Sequence, residues 1–416
     1  MFELLKKHTT KKASFEINTR GDCELLSALI LEVTDIHISY NTLRRFFGLD
    51  SAVKPSTSTL NALARFNGYE SYIQFLTKNP FEAYWIQKEK LYSMLHLGPQ
   101  TIINYLNQLD LNSKDTLDII ISLCRELIYL NKIDELDTIL KSDFFNQLKL
   151  NYSELLHFGN SVAILFQNIK ANKKILSNHN FLNNVYCIFV DYTHLNGYYG
   201  EWSEFIGQNN TDAQINSFAL AIQQLKNYLN HKPVVYSDFI AIDSVKFHPI
   251  LRGRLYAIKI LSKGPEFEDI DLNFDEILQQ DQKEIFWDYF FELIFTAILS
   301  RNFLLMAAIK SKLSKQKLNT KYYQDQHQKI YQLMCEYYNF WSNYAYYKGN
   351  QIKNQELMNF EYKYGYNEII QLFIAILNYH YEEDNKDQYL KRYLTISKKL
   401  NYPLFSKNYL LHYFDK

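Results

Sequence analysis

The side chains best suited to recognise another molecule are concentrated in residues 39–45, which read Ser-Tyr-Asn-Thr-Leu-Arg-Arg. On a helix that begins after Ser39, Tyr40, Asn41 and Arg44 are expected to face outward. An asparagine amide can pair with two atoms of adenine, and an arginine guanidinium can pair with guanine or with a phosphate. These residue types therefore predict contact with nucleic acid rather than catalysis.

The surrounding residues carry the signals of a short helix. Ser39 can cap the first free N–H groups, and Leu43, Phe46 and Phe47 recur at helical spacing. Gly48 follows the last turn, where a left-handed residue ends a helix at little cost. The pattern predicts a helix over 40–47 whose apolar side packs on a small core.

Neighbouring segments extend this pattern. Residues 22–33 form a helical candidate with Leu25, Leu26, Leu29, Ile30 and Val33 as its apolar residues, and 34–38 form the turn that follows. Lys54-Pro55-Ser56 opens another helix, which Asn67-Gly68 ends, and 69–75 predict a final short helix. The predicted order is helix, turn, helix, loop, helix, helix.

This order resembles a Cro/repressor-type helix-turn-helix domain. Two runs of the family pattern carry the resemblance: Ser39, Thr42, Leu43 and Arg45, and then Gly48, Pro55, Ser56, Thr59, Leu60, Leu63, Ala64 and Gly68. In that family the helix after the turn enters the major groove. The resemblance thus implies DNA contact through Ser39, Tyr40, Asn41, Arg44 and Arg45.

Two features of this region depart from a DNA-binding pattern. The helix before the turn starts with Asp22-Cys23-Glu24, where the family often has a phosphate-binding glutamine, and residues 21–80 hold five basic and six acidic side chains. Residues 1–20 are basic and predict an arm whose Lys11 and Lys12 follow the phosphate backbone or a minor groove. The alternatives are a solvated terminus and a helix-turn-helix kept only for packing or protein contacts.

Composition sets the fold class and the cellular setting. The 416 residues include only 12 Gly and 7 Pro, which predicts an all-α protein. Their formal net charge is zero, so the protein as a whole is not expected to attract nucleic acid or membranes electrostatically. No apolar run has the length of a membrane span or the form of a signal peptide. Four dispersed cysteines predict buried free thiols, and hence a reducing, cytoplasmic location.

The rest of the chain, residues 81–416, reads as successive helical hairpins with a break expected near 196–200 or 230–250. A spacing of about 35 to 45 residues is typical of an α-solenoid. The last pair, with Ala375, Tyr393 and Pro403, resembles a degenerate tetratricopeptide unit. The predicted layout is a helix-turn-helix domain over 1–80 and a helical-repeat domain over 81–416, and an irregular helical bundle is the alternative to the repeat.

Catalysis is not predicted, because the chain has no catalytic, metal or cofactor motif. His248 with Arg252 and Arg254 could suit an anion, but the more economical interpretation is a helix start. Asparagines in the predicted helices could hold the backbone of an extended peptide. They are Asn104, Asn107, Asn160, Asn168, Asn343 and Asn378.

The layout is similar to peptide-sensing transcription regulators of the quorum-sensing type. That similarity implies a homodimer whose repeat domain binds a peptide or protein ligand and thereby changes the spacing of two DNA-reading heads. The chief alternative is a helical scaffold that binds protein partners without DNA. An enzyme with an unrecognised site is a third interpretation.

Overall fold

The computed structural model describes residues 2–51, 55–79, 92–107, 114–236, 249–264, 286–314, 324–343, 365–382 and 384–415. These residues form helices and turns and contain no β-strand, which confirms the predicted all-α class. The chain divides into two compact units, Met1–Gly98 and Pro99–Lys416. The predicted boundary between residues 80 and 81, His248, and most of the break predicted at 230–250 lie outside the described residues.

The first unit contains five described helices around one apolar core. They are α1 (Phe2–Ala13), α2 (Arg20–Thr34), α3 (Tyr40–Phe47), α4 (Thr57–Phe66) and α5 (Tyr72–Lys78). Leu26, Leu43, Leu63 and Phe75 are fully buried in that core, one from each of the last four helices. Each helix thus contributes its apolar side, which is why such short helices are stable here.

Hydroxyl side chains fix where these helices begin. Ser39, Ser56 and Ser71 each accept a hydrogen bond from the backbone N–H three residues further on. At α2 the cap is reciprocal, because Thr19 accepts from the backbone of Asp22 while the Asp22 carboxylate accepts from the backbone of Thr19 at 2.7 Å. These caps satisfy N–H groups that have no partner within the helix.

Residues 2–13, predicted as a basic arm, instead form the helix α1. Leu4 and Leu5 are buried in the core, and the hydroxyl of Thr9 accepts a hydrogen bond from Asn67 at the end of α4, at 2.9 Å. The prediction of an arm was wrong because it rested on the four lysines of this segment. It did not take into account that Leu4, Leu5 and Thr9 lie on one side of a helix and can pack on the core. In α2, Leu25 and Val33 are more than half exposed, so of the five residues predicted as its apolar side only Leu26 and Ile30 are fully buried.

The second unit has fourteen described α-helices of five or more residues and a series of single turns. The helices are α6 (Pro99–Leu106), α7 (Lys114–Tyr129), α8 (Ile133–Leu140), α9 (Asp143–Gln147), α10 (Tyr152–Ala163), α11 (Tyr198–Asn209), α12 (Ala213–Leu229), α13 (Pro249–Lys263), α14 (Phe286–Ser300), α15 (Phe303–Leu313), α16 (Gln324–Ser342), α17 (Asn367–Tyr381) and α18 (Lys386–Leu400). A last short helix, α19, spans Lys407–Leu411. Most described contacts join helices close in sequence, as in α11 with α12 and α17 with α18.

The middle of this unit corrects a prediction. Residues 180–195 belong to the segment predicted as regular helical hairpins, but the chain there forms one α-helical turn, a π-helical segment (Leu182–Tyr186) and a 3-10 turn (Tyr192–His194). Large side chains accompany the irregular path, because Phe181, Tyr186 and Tyr192 are all fully buried. Their rings pack on three different partners, which are Trp202, Phe218 and Phe295.

Asp191 lies at a junction between distant parts of the unit. The backbone N–H and the hydroxyl of Thr193 both donate to the carbonyl of Gly365, at 2.9 and 2.7 Å. A Cβ atom at residue 365 would lie 2.5 Å from the Asp191 Cα, so this approach requires glycine. Tyr402 also donates to the carbonyl of Tyr192 at 2.7 Å. These contacts go beyond the nearest-neighbour packing of a regular repeat array.

The cluster predicted from His248, Arg252 and Arg254 is not a loop site for an anion. Arg254 lies in α13, is fully buried, and pairs with Glu292 of α14 at 3.1 Å. Glu292 in turn accepts a hydrogen bond from the Tyr192 hydroxyl at 2.7 Å. The guanidinium therefore has an internal counter-ion. The described part of α13 runs from Pro249, and the helix start predicted around His248 lies outside the described residues.

Candidate nucleic-acid interface

α3 is held on α2 by its apolar side and by the connection between them. Leu43 and Phe46 of α3 are buried in the core. Ser27 of α2 donates a hydrogen bond to the carbonyl of Ile38, just before α3, at 2.5 Å. Asp35 adopts a left-handed conformation that ends α2 and turns the chain. The orientation of α3 relative to α2 is thus fixed by packing, by the turn at Asp35 and by the hydrogen bond from Ser27.

Both ends of α3 are defined as predicted. The Ser39 hydroxyl accepts from the backbone N–H of Thr42 at 3.2 Å and lies 2.9 Å from the Thr42 hydroxyl. Gly48 has φ of 81° and ends the helix. A helix of eight residues with fixed ends presents its outward side chains from a rigid support, which is what groove recognition needs.

The predicted base-reading residues Asn41 and Arg44 lie together on the outer side of α3. Asn41 is exposed and Arg44 is partly exposed, and a nitrogen of Arg44 donates to the Asn41 amide oxygen at 3.4 Å. The Asp50 carboxylate lies 3.5 Å from the Arg44 guanidinium. The pair is therefore presented to solvent with an acidic neighbour that competes for the arginine.

Tyr40 has a partner that the sequence did not indicate. The guanidinium of Arg20, at the start of α2, lies 4.7 Å from the centre of the Tyr40 ring and donates to Glu24 at 2.8 Å. Its hydrogen bond to Glu24 raises the pKa of Arg20, so the stacked group keeps its charge. Arg20 joins the candidate surface. Nineteen residues separate it from Tyr40 in the sequence, so no local pattern indicates the pairing.

The remaining predicted contacts are placed differently. Arg45 is exposed in the last turn of α3, next to Arg44 in sequence. Lys11 and Lys12 are exposed in the last turn of α1, on a separate helix. Lys6 of α1 does approach α3, since its ammonium lies 5.7 Å from the Phe46 ring centre. α3 thus brings five of the predicted residues together, and the two lysines are not part of that cluster.

The acidic start of α2 has a structural explanation. The Asp22 carboxylate accepts hydrogen bonds from the backbone N–H groups of Asn18 and Thr19, at 3.0 and 2.7 Å. The Thr19 side chain and then these N–H groups hold the pKa of Asp22 below its usual value. Asp22 is committed to the cap and is not available for phosphate.

Other site chemistry is limited in the part of the chain that the structure describes. No group of three or more His, Cys, Asp or Glu side chains there could hold a metal ion. The four cysteines are free, with Cys23 and Cys124 buried and Cys187 and Cys335 partly buried, and burial raises the pKa of Cys124 to about 12. Among the described helices, none is long and apolar enough to cross a membrane.

No protein-family model, curated protein or solved structure matches this chain. The chemistry of the α3 surface must therefore be judged from its own geometry. It offers one amide, two guanidinium groups on α3, and a third guanidinium stacked on a tyrosine. Such a set can donate to base edges and phosphates and has few groups that would suit bond making or breaking.

Proposed function

We propose that the protein is a DNA-binding transcriptional regulator whose second unit senses a peptide or protein ligand and dimerises. The observation that carries the proposal is the arrangement of α3. Leu43 and Phe46 on its apolar side are buried in the core, while Asn41 and Arg45 are exposed to solvent and Arg44 is partly exposed. An exposed amide and guanidinium on a rigid helix after a turn is the arrangement that reads base edges in the major groove.

Arg20 extends this proposed surface toward the backbone of DNA. It carries a positive charge at the edge of α3 and is held there by the Tyr40 ring. A phosphate oxygen is a stronger acceptor for this group than solvent and would compete with Glu24 for it. The near-neutral charge of residues 21–80 implies modest affinity for one head, so two heads on one site would be needed for stable binding.

The test is selection of bound sequences from a random duplex pool by the full chain, followed by affinity measurements on the selected duplex. Asn41→Ala with Arg44→Ala is expected to reduce specific affinity about 10- to 100-fold, because each base contact contributes about 1–3 kcal/mol. Arg65→Ala, an exposed arginine on α4, is the matched control and should cause a much smaller loss. A wild-type protein with no salt-dependent DNA binding would exclude the proposal.

The alternative is a helical scaffold that binds protein partners only. The contact of Arg44 with Asp50 favours it, because the carboxylate partly neutralises the group that DNA would need. Under this alternative the Asn41→Ala and Arg44→Ala variants still bind the protein partners of the wild type. The wild type itself would elute from a DNA-affinity column at the lowest salt concentration.

A further inference from the structure

We propose that a cleft in the middle of the second unit binds a short acidic peptide segment through one apolar side chain. We call it the middle cleft, and it lies between residues 166–176 and helix α11, with a volume of about 460 Å³. That volume is in the range of small-ligand sites. This proposal rests on the ligand-sensing part of the proposed function and does not require DNA binding.

The wall of the middle cleft is aromatic and rigid. The Trp202 ring packs edge-on against Phe166 and Tyr198, with ring centres 5.4 and 5.1 Å apart. Phe166 and Trp202 are buried, whereas Tyr198 and Phe205 are half-buried and border the open side. An apolar side chain entering here would gain aromatic contact without rearranging the wall.

Two polar side chains that line the cleft are already oriented by a buried carboxylate. The Tyr198 hydroxyl and the Gln167 amide donate to the same Asp191 oxygen, at 2.5 and 3.2 Å, and Asp191 is fully buried. Gln167 and Asn168 are exposed at the edge, where their amides can both donate to and accept from a peptide backbone. Asn168 is one of the asparagines that the sequence suggested for this purpose.

Charge at the edge selects an acidic ligand. Lys170 and Lys173 line the cleft and are exposed, and neither has a carboxylate partner among the described residues. The next lysine, Lys174, differs because it pairs with Asp134 at 3.2 Å. Glu201 is the acidic residue lining the cleft, so the two lysines leave a net positive edge. Carboxylates beside the apolar side chain would complement it.

A second cleft, between α17 and α18, fits a ligand less well. Its Lys399 and Arg392 are already bonded to Glu368 and Gln371, at 2.5 and 2.6 Å. A ligand there would have to displace these internal bonds. In the middle cleft, Lys170 and Lys173 can pair with carboxylates of a ligand without breaking an ion pair to any described residue.

The experiment is calorimetric titration of the full chain with the blocked pentapeptide Asp-Asp-Phe-Asp-Asp. Saturable binding is expected, and Lys170→Gln with Lys173→Gln should weaken it about tenfold, since each edge pair contributes up to about 1 kcal/mol. Lys174→Gln is the matched control and should leave the affinity unchanged. Replacing the peptide Phe by Ser, or its Asp residues by Lys, should abolish binding.

Each outcome decides the proposal. Absence of saturable binding, an equal loss in the Lys174→Gln variant, or equal binding of the Ser peptide would each overturn it. The lysines are exposed, so their variants should retain the wild-type unfolding midpoint. If the pentapeptide fails while the duplex selection still yields Asn41-dependent DNA binding, then the proposed regulator stands and only the ligand site is refuted.

Discussion

Arg254 shows how a single residue can be misread when its partner is distant in sequence. A fully buried guanidinium is costly to desolvate, and Glu292 at 3.1 Å offsets that cost. Burial raises the pKa of Glu292, but the adjacent Arg254 and the Tyr192 hydroxyl oppose that rise and favour the ionised carboxylate. The two groups therefore act as a pair that joins α13 to α14.

Glu292→Gln should destabilise the second unit by about 3–5 kcal/mol, because it leaves the buried guanidinium without its counter-ion. Urea unfolding followed by circular dichroism would measure the change. Glu24→Gln is the control, since the Arg20–Glu24 pair is exposed and should contribute less than about 1 kcal/mol. If both substitutions lowered the free energy of unfolding equally, burial of the Arg254–Glu292 pair would not be the cause of the loss.

His194 gives the second unit a pH-dependent contact. Its Nδ1 lies 2.8 Å from the Asp191 carboxylate, and this hydrogen bond raises the pKa of His194 despite partial burial. A raised pKa means that the protonated histidine stabilises the native state below the unfolded value of about 6.5. This stability is lost as pH rises through the folded value.

The unfolding midpoint of the wild type should therefore fall more between about pH 5.5 and about pH 8.5 than that of His194→Gln, a range of about one unit below and two units above the unfolded pKa. Urea midpoints at several pH values would show the difference. His179→Gln, which replaces an exposed histidine in contact with Asn183, should follow the wild type. Parallel wild-type and His194→Gln profiles would rule out this contact as the origin.

At the scale of one element, α3 is where prediction from sequence succeeded best. Its start at Ser39 and end at Gly48 follow from caps that act within three or four residues, so local pattern was sufficient. The partners of its outer side chains were not predictable, because Arg20 and Asp50 reach Tyr40 and Arg44 from outside the helix. The ends of an element are local properties, whereas its electrostatic surroundings depend on the tertiary fold.

Asp50→Asn should strengthen DNA binding up to about fivefold, because it removes a competing carboxylate from Arg44 and an exposed pair contributes up to about 1 kcal/mol. Affinity for the selected duplex, measured by fluorescence anisotropy at fixed salt, would test it. Glu70→Gln, an exposed acid beyond α4, should have a smaller effect. Unchanged affinity in Asp50→Asn would mean that Arg44 does not contact DNA.

At the scale of the whole molecule, the two compact units have separate cores and should unfold separately. Leu26→Ala should lower the free energy of unfolding of the first unit only, and Leu293→Ala that of the second unit only. Each change should be about 2–5 kcal/mol, because both leucines are fully buried. Differential scanning calorimetry of the full chain would resolve the two transitions. A single transition shifted by both substitutions would show that the units unfold as one.

The sequence predicted the all-α class and the hairpins over 367–400 because low glycine and helical periodicity are properties of each segment. It did not predict the irregular path near Asp191, where the buried rings of Phe181, Tyr186 and Tyr192 each pack on a different aromatic partner. It also could not indicate that Thr193 would bond Gly365. Contacts between residues so far apart in the sequence do not produce a periodic pattern of residue types.

The Thr193–Gly365 contact also has a kinetic consequence. It joins residues 172 positions apart, so a very long loop must close before either hydrogen bond can form. High contact order slows folding, whereas the short helices of the first unit contact each other within about 75 residues. On a ribosome the first unit can therefore reach its native state long before the junction at Asp191 forms. The helix proposed to contact DNA would then be complete while the part of the chain proposed to sense ligand is still unfinished.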